Sequence, residues 1–398
     1  MLRLAMIKVK GFKFSGINCG IKKSGDKDLG LILSEKRCLS HAVFTKNKVV
    51  AAPIEIGKKN IKTNKIHGVI VNSGNANACT GKKGIKATTA ILKEIANRTN
   101  LDTSNFFPSS TGIIGIQLNY KKINKNIDNL LNSLTQSSFM EFAEAIQTTD
   151  KLLKFRHKKI KIGKSSGNLL AIAKGAGMIH PGMATMLCFF ITDLKFNSST
   201  FKKLINDAVN GSFNCISIDG DMSTNDTVIG LSNGMANNKK IDNKSRALNE
   251  VRAKINGMFY ELAELIVKDG EGSTKLCKII VKGARTKATA DTIARKVSNS
   301  LLFKTALYGS DPNWGRIIAS VGATQINYID QNKIDIYIDK IKIVKKGEAN
   351  SNLAIARKIM RKKSIEITVN LNIGKSSAFM LTNDLGHDYV DINSLYTT

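Results

Sequence analysis

Short apolar runs alternate with segments of helical periodicity along the whole chain of 398 residues. Continuous apolar runs are typical of buried strands, whereas apolar residues three and four positions apart predict amphipathic helices. The predicted strands cover residues 67–71, 169–173, 187–192, 276–282 and 365–371. The predicted helices, several of which follow a Ser, Thr or Asn suited to cap them, cover residues 85–98, 138–146, 200–209, 245–267, 286–300 and 350–361. This alternation predicts an α/β fold.

The pattern gives no sign of separate domains. No internal repeat and no low-complexity linker interrupts it, and the sequence contains 4 prolines. The segments before and after Thr185 are therefore expected to interleave in one folded body. No apolar run approaches the roughly 20 residues that span a bilayer, so we expect no membrane protein.

The net charge of +30, from 61 Lys and Arg against 31 Asp and Glu, raises the hypothesis of a nucleic-acid-binding protein. The basic residues, however, are spread from end to end, are mostly lysines and form no known nucleic-acid motif. Abundant Lys, Asn and Ile, all encoded by A/T-rich codons, favour a biased genome as the simpler cause. We therefore expect no nucleic-acid partner.

The cysteines and histidines show no pattern of a disulfide or metal site. The 6 cysteines form no CxxC pair and are expected to be buried free thiols, and the 5 histidines lack metal-ligand spacing. The runs at 163–165 and 374–376 lack the first glycine of a phosphate-binding loop. We expect neither a nucleotide cofactor nor a metal.

The N-terminus lacks a signal-type apolar core, so the protein is expected in the cytoplasm.

The run KGAGMIHPGMATML at residues 174–187 is the most informative part of the chain. It places the Ala184–Thr185 bond behind a glycine-bearing segment, where we expect the protein to cut itself. The hydroxyl of a threonine within a chain is a poor nucleophile, because no neighbouring group is certain to accept its proton. As a new N-terminus, Thr185 would carry an α-amine with an unperturbed pKa of about 7.7–8.0, which can act as that base. One cleavage would thus create a nucleophile and its base.

A second polar run, residues 109–115, contains Thr111 followed by Gly112. A hydroxyl next to an unobstructed backbone N–H offers two donors to one oxygen, as an oxyanion hole requires. The alternative interpretation is a capped loop before a strand. The neighbouring run 72–81 alternates small and amide side chains, which favours structural support.

Three further runs, and the C-terminus, carry polar residues among turn formers. Residues 217–227 contain three carboxylates, but their spacing does not fit an EF-hand calcium loop. In residues 269–275, Glu271 lies between two glycines and is either part of a helix end or a substrate contact. Trp314, in residues 309–316, is expected to anchor a turn and the following helix. The composition of residues 381–398 argues against a frayed tail.

Together these runs resemble the ornithine acetyltransferases of arginine biosynthesis, also called bifunctional glutamate N-acetyltransferases. The similarity extends from residue 11 to residue 398 and includes MATML, Thr111-Gly112, GDMSTNDT, DGEGSTK, DPNWGR and the closing Tyr-Thr-Thr. It implies a self-cleaving, N-terminal-nucleophile-type layered α/β sandwich formed jointly by an α chain (1–184) and a β chain (185–398). It also implies a heterotetramer of two α and two β chains. The implied reaction moves an acetyl group from N2-acetylornithine to L-glutamate.

The resemblance also implies roles for individual residues. Thr185 would be the nucleophile, cut free from Ala184, and Thr111 and Gly112 would form the oxyanion hole. The implied substrate contacts are Thr148, Lys174, Thr185, Glu271, Asn393 and Thr398. The family commonly has asparagine after the proline of the cleavage motif. Here Gly182 follows Pro181, a departure that bears on the rate of cleavage.

Three questions stay open at the level of sequence. An N-terminal-nucleophile amide hydrolase, such as an aminopeptidase, would share the nucleophile and differ in using water as the acceptor. A basic nucleic-acid binder remains the hypothesis that the charge alone raises. Finally, no residue pattern decides whether acetyl-CoA also serves as an acetyl donor.

Overall fold

The computed structural model describes residues 7–180 and 186–395, and these confirm an α/β fold. Within them the strands are Phe12–Ile17 (β1), Leu29–Ser34 (β2), Leu39–Phe44 (β3), Gly68–Asn72 (β4), Phe106–Ser110 (β5), Lys154–Ile162 (β6), Ser165–Lys174 (β7), Leu187–Thr192 (β8), Ile216–Ser217 (β9), Thr227–Ser232 (β10), Leu276–Ala284 (β11), Asp335–Ile338 (β12), Ile341–Lys345 (β13), Glu348–Ala349 (β14), Ser364–Asn370 (β15) and Ser376–Asn383 (β16). The α-helices are Ala52–Asn60 (α1), Gly81–Thr99 (α2), Tyr120–Lys125 (α3), Ile127–Asn132 (α4), Phe139–Ala145 (α5), Ser198–Asn210 (α6), Leu248–Lys268 (α7), Lys287–Ser298 (α8), Leu301–Tyr308 (α9), Trp314–Gly322 (α10), Leu353–Met360 (α11) and His387–Leu395 (α12).

The predicted helices are all present with ends shifted by about one to four residues, and local side chains explain two of these shifts. The helix predicted over 286–300 ends at Ser298, and a second helix begins at Leu301 because Ser300 caps it by accepting a hydrogen bond from Phe303 N. The helix predicted from residue 245 begins at Leu248. Ser245 is instead bonded to Asp242 in the preceding turn.

Two sheets form the centre of a layered sandwich. One has the order β1-β2-β4-β5 and the other the order β3-β10-β8-β7-β6. Alternation along β8 shows how they pack, since successive side chains of a strand point to opposite faces. Phe189 and Ile191 pack in the core shared with the four-stranded sheet, whereas Cys188 and Phe190 pack against α6 and α7. Helix α2 covers the outer face of the four-stranded sheet.

The five-stranded sheet contains strands from both sides of position 185. Strands β3, β6 and β7 precede it, and β8 and β10 follow it. Strands β7 and β8 pair antiparallel, with Lys174 opposite Leu187, and β8 pairs in parallel with β10. The predicted interleaved body is therefore confirmed, and the sandwich is formed jointly by both segments.

A third sheet, of order β14-β13-β12-β15-β11-β16-β9, packs with α8, α10 and α11 around a separate core. Trp314 packs against this core as the first residue of α10, as the sequence predicts. No helix of the described residues is long and apolar enough to cross a membrane. Five cysteines are buried free thiols, but Cys79 is exposed, which corrects the prediction that all are buried. It lies in the tight turn that leads into α2, with φ of 56°.

Candidate active site

The wall of the candidate site begins where the parallel strands β4 and β5 end side by side. Asn72 and Ser110 are register partners, and Ser110 Oγ donates to Asn72 Oδ1 at 2.6 Å. The N–H of Thr111 donates to Asn72 O at 3.0 Å, and Asn72 Nδ2 donates to Asn75 O at 2.8 Å. These bonds fix the position of Thr111 as the chain leaves β5.

Gly112 occupies a backbone conformation and a space that exclude other residues. Its φ is 128°, a region that L side chains rarely adopt, and a Cβ there would overlap the backbone of Gly74 and Asn75. Asn75 also bridges to Thr111 and Ile113. The run 72–81 thus provides the structural support predicted for it, and it brings the Thr111–Gly112 peptide into close contact with a second loop.

Lys174, at the end of β7, is buried against Thr111. It is 3% exposed, and its Nζ donates to Thr111 Oγ1 at 3.1 Å and to Thr148 Oγ1 at 2.7 Å. Burial lowers the pKa of Lys174, and the carboxylates of Asp150 and Glu271 oppose this effect. Because Thr111 Oγ1 accepts from the ammonium group, its own hydroxyl proton is directed elsewhere and can be donated to a third group.

Lys174 belongs to a network of buried ion pairs on the side away from the cavity. Asp150 accepts from Lys154 Nζ at 2.7 Å and from Gly175 N at 2.7 Å, and its Oδ2 lies 3.8 Å from Lys174 Nζ. Lys154 also pairs with Asp269, whose Oδ2 is 2.5 Å from Nζ. Burial alone would raise the pKa of Asp150, but the Lys174 and Lys154 ammonium groups hold it at about 2. Asp150 is therefore an ionised anchor for both lysines.

Glu271 and Asn393 meet across two distant parts of the chain. Glu271 lies in the turn that follows α7, and its backbone N–H donates to Ala176 O at 2.9 Å. Asn393 reaches it from α12 and donates through Nδ2 to Glu271 Oε2 at 3.0 Å. A Cβ at Gly177 would overlap the Glu271 carboxylate, so this glycine leaves room for it. The predicted order of the C-terminal segment is confirmed as far as Leu395.

A cavity of about 410 Å³, within the usual range for small-molecule sites, joins these groups. Its lining includes six of the residues predicted from the sequence, namely Thr111, Gly112, Thr148, Lys174, Glu271 and Asn393. Four other predicted or singled-out positions, Gly182, Ala184, Thr185 and Thr398, lie outside the described residues. Met186 is described and directly precedes β8. The first residue of β8, Leu187, is the strand partner of Lys174.

Sequence reasoning missed Asp219, which also lines the cavity. Its Oδ2 accepts from Met178 N at 2.5 Å and its Oδ1 from Ile179 N at 2.8 Å. Burial raises the pKa of Asp219 to about 6, although these backbone bonds oppose the rise. The carboxylate holds the backbone that leads toward residue 181. Its place in the run 217–227 marked it only as one carboxylate among turn formers.

Asp150, Lys154 and Asp226 were missed as well. Asp150 and Lys154 lie just before and at the start of β6, and they meet Asp269 from the other half of the chain, so no sequence spacing could reveal the network. Asp226 also belongs to the run 217–227. Among the residues that the structure describes, no group of three or more His, Cys, Asp or Glu side chains is placed to hold a metal ion.

Comparison with known proteins decides the family. The model of the ArgJ family matches residues 13–398. The chain belongs to the ArgJ family. An arginine biosynthesis bifunctional protein ArgJ of Caldanaerobacter subterraneus is 41% identical over 394 residues, covering 98% of this chain and 97% of the relative. The ArgJ protein of Geobacter sulfurreducens is 40% identical, covering 98% of this chain and 100% of the relative.

A solved structure agrees with this assignment. The crystal structure of arginine biosynthesis bifunctional protein ArgJ from Bacillus halodurans is 34% identical, with a TM-score of 0.51, and covers 53% of this chain and 100% of that one. The family predicted from the sequence is therefore confirmed, as is its enzyme class, glutamate N-acetyltransferase.

Proposed function

We propose that this ArgJ-family enzyme moves an acetyl group from N2-acetylornithine to L-glutamate by a ping-pong reaction through acetyl-Thr185. The nucleophile would be exposed by self-cleavage of the Ala184–Thr185 bond. One observation carries the proposal. Thr111, Gly112 and Lys174 meet at one cavity wall, and the strand partner of Lys174 is Leu187, two residues after Thr185.

In the proposed first step, Thr185 Oγ attacks the acetyl carbonyl carbon while the Thr185 α-amine accepts the hydroxyl proton. The developing oxyanion takes hydrogen bonds from the Thr111 hydroxyl and the Gly112 N–H. The Lys174 ammonium, 3.1 Å from Thr111 Oγ1, leaves that hydroxyl proton available and adds positive charge beside the oxyanion. Ornithine leaves, and the amine of glutamate then attacks the ester and regenerates Thr185.

The remaining residues would recognise the two amino acids. Both substrates carry an α-carboxylate, for which we propose Lys174 as the positive partner, with Thr148 beside it. Glu271, oriented by Asn393, would face the cationic end of ornithine. Thr398 would complete the contacts from the C-terminus. The enzyme needs no metal or cofactor in this scheme, because every proton and charge is handled by side chains or the α-amine.

The matured protein would consist of an α chain, residues 1–184, and a β chain, residues 185–398, assembled as two copies of each. We propose the cytoplasm as its location, and the buried free thiols are compatible with a reducing compartment. The relatives are called bifunctional, which makes acetyl-CoA the second donor to test. An assay with acetyl-CoA and glutamate but no acetylornithine measures that activity directly.

The decisive experiment combines intact mass spectrometry with the transfer assay on wild type, Thr185→Ser and Thr185→Ala. Wild type should give two fragments that meet between Ala184 and Thr185 and should form N-acetylglutamate from acetylornithine. Thr185→Ala should remain one chain without transfer, whereas Thr185→Ser keeps a hydroxyl and should retain part of both activities. An uncleaved but active Thr185→Ala protein refutes the mechanism. Stoichiometric release of acetate in place of N-acetylglutamate would instead identify an amide hydrolase.

A further inference from the structure

Asp226 holds the backbone immediately after the proposed scissile bond. It precedes β10, which runs parallel to β8 with Thr227 opposite Leu187, so Asp226 lies beside Met186. Asp226 Oδ1 accepts a hydrogen bond from Met186 N at 3.1 Å. That nitrogen is joined by one peptide bond to the carbonyl carbon of Thr185. The Asp226 carboxylate is thus hydrogen-bonded to the residue next to the predicted nucleophile.

The second carboxylate oxygen of Asp226 is not used by the described structure. The residue is 1% exposed, and Oδ2 accepts no hydrogen bond from any described residue. Burial raises the pKa of Asp226 well above its ordinary value, while Met186 N–H, the Lys174 ammonium and the nearby hydroxyls of Ser223 and Thr45 act against the rise, although neither hydroxyl meets the distance and angle of a hydrogen bond to Oδ2. Leaving a buried polar atom unpaired costs about 1–3 kcal/mol, so a purely structural aspartate would be expected to use both oxygens.

The uncleaved chain needs a base that the mature enzyme does not. Before cleavage Thr185 has no free α-amine, so another group must accept its hydroxyl proton. Of the other carboxylates at or beside the cavity, Asp221 is exposed, and Asp150, Asp219 and Glu271 each accept hydrogen bonds from described residues. Asp150 bonds to Lys154 and Gly175, Asp219 to two backbone amides, and Glu271 to Asn393.

We propose that Asp226 is the proton acceptor for self-cleavage of the Ala184–Thr185 bond, a role that rests on the proposed function. Asp226 takes the proton from Thr185 Oγ as that oxygen bonds to the carbonyl carbon of Ala184. The protonated carboxyl then gives its proton to the Thr185 nitrogen as the C–N bond breaks, leaving an ester and a free α-amine. One water hydrolyses the ester to the Ala184 carboxylate and the Thr185 hydroxyl. Asp226 has then returned to its unprotonated state, and the new α-amine serves as the base in acetyl transfer.

Asn225 links this carboxylate to the predicted oxyanion hole. Its Nδ2 donates to Ser110 O at 2.8 Å and to Ala76 O at 2.7 Å, and all three groups are buried. Ser110 directly precedes Thr111. The segment that carries Asp226 and the segment that carries Thr111 are therefore held in fixed relation, which allows one oxyanion site to serve both cleavage and transfer.

The test follows cleavage during cell-free synthesis of the full chain by intact mass, for wild type, Asp226→Asn, Asp226→Glu and Asp193→Asn. Asp193 is a matched control, because it is another buried aspartate beside β8 but follows its far end, where it accepts from Lys10 and Asn168 amides. Asp226→Asn should lengthen the half-time of cleavage at least about 100-fold, the usual minimum effect of a general base. Asp226→Glu should restore part of the rate, and Asp193→Asn should stay within about twofold of wild type.

A folded Asp226→Asn chain that cleaves at the wild-type rate overturns the proposal. If that variant fails to show a cooperative thermal transition, Asp226→Glu decides: measurable cleavage supports the role, and a folded but uncleaved Glu variant overturns it. A wild-type chain that cleaves but does not transfer acetyl groups defeats the proposed function alone. Equal cleavage by wild type and Asp226→Asn defeats only the present inference.

Discussion

The cavity wall and the contact between α9 and the seven-stranded sheet each include a lysine that is almost fully buried, and the two lysines are bonded differently. Lys304, 2% exposed, donates to Thr382 Oγ1 and to both Asn383 O and Asn383 Oδ1, all within one packed region. Burial lowers its pKa to about 7. Lys174 is equally buried but donates to two hydroxyls at a cavity wall, with an ionised Asp150 behind it.

The comparison shows that burial of a charge does not by itself mark a functional residue. The three acceptors around Lys304 use its hydrogen-bonding capacity within the protein, so the side chain ties α9 to β16. Around Lys174 the partners are hydroxyls that each keep a proton to donate, and they face a space that a substrate can enter. The site is distinguished by hydroxyl groups that can still donate a hydrogen bond into the cavity.

The largest effect expected from substituting either lysine is the loss of catalytic rate in Lys174→Met. Removing the ammonium group beside Thr111 should lower kcat for acetyl transfer by about 100–1,000-fold per cleaved molecule, the cost typical of losing one oxyanion-stabilising group. Steady-state kinetics, with the cleaved fraction determined by mass spectrometry, measures the effect. A wild-type kcat in this variant would remove the distinction between the two lysines.

Thr111→Val should sharpen the same comparison within the cavity. Loss of the hydroxyl donor should reduce kcat about 100-fold with little change in KM, because the bond strengthens only as charge develops on the oxygen. Thr111→Ser retains the hydroxyl and should recover most of the rate. If Ser and Val variants were equally slow, the contribution of Thr111 would lie in packing and not in hydrogen bonding.

Lys304→Met should have the opposite profile. It leaves the acceptors of Asn383 buried without their donor, and we expect a loss of about 2–3 kcal/mol in the free energy of unfolding. The kcat of the folded, cleaved enzyme should stay within about twofold of wild type. Denaturant unfolding and the transfer assay on the same sample check both parts. A large fall in kcat without loss of stability would assign Lys304 a functional role.

The smallest effect concerns the pH dependence of stability through Asp219. Its folded pKa of about 6 lies above the ordinary value of 3.8, so between these values the folded protein keeps a proton that the unfolded chain releases. Asp219 therefore contributes less stability as pH rises from about 4 to about 6. Relative to Asp219→Asn, the wild-type free energy of unfolding should fall on the order of 1–2 kcal/mol across that window. Parallel stability curves for the two proteins would contradict the assignment.

Local pattern was enough to predict elements with strong apolar periodicity. The strand predicted over 187–192 coincides with β8, and the strands predicted at 276–282 and 365–371 fall within one residue or two of β11 and β15. Strand β6 was not predicted, because its run KFRHKKIKI is largely polar and only partly buried. Its place as an edge strand explains this composition, since β6 pairs with β7 alone among the described strands.

The candidate site was predictable where its residues lie in distinctive motifs, as for Thr111, Gly112, Lys174 and Glu271. The groups that support them were not. Lys154 reaches Asp269 across 115 positions, and Asn225 reaches Ser110 across 115. Such contacts depend on how the sheets pack, and neither spacing nor composition contains that information. The same limit applies to Asp226, whose carboxylate is informative only once its second oxygen is seen to be unpaired.

The five-stranded sheet also has a consequence for how the matured protein would unfold. Strand β8 lies between β7, from the first segment, and β10, from the second, with an unbroken antiparallel ladder from Leu169 to Lys174 on one side. Once cut, two polypeptides would share that ladder, so unfolding would release separate chains. Refolding would then be a bimolecular association, slower on dilution, and the uncut chain would be the form able to fold alone at any concentration.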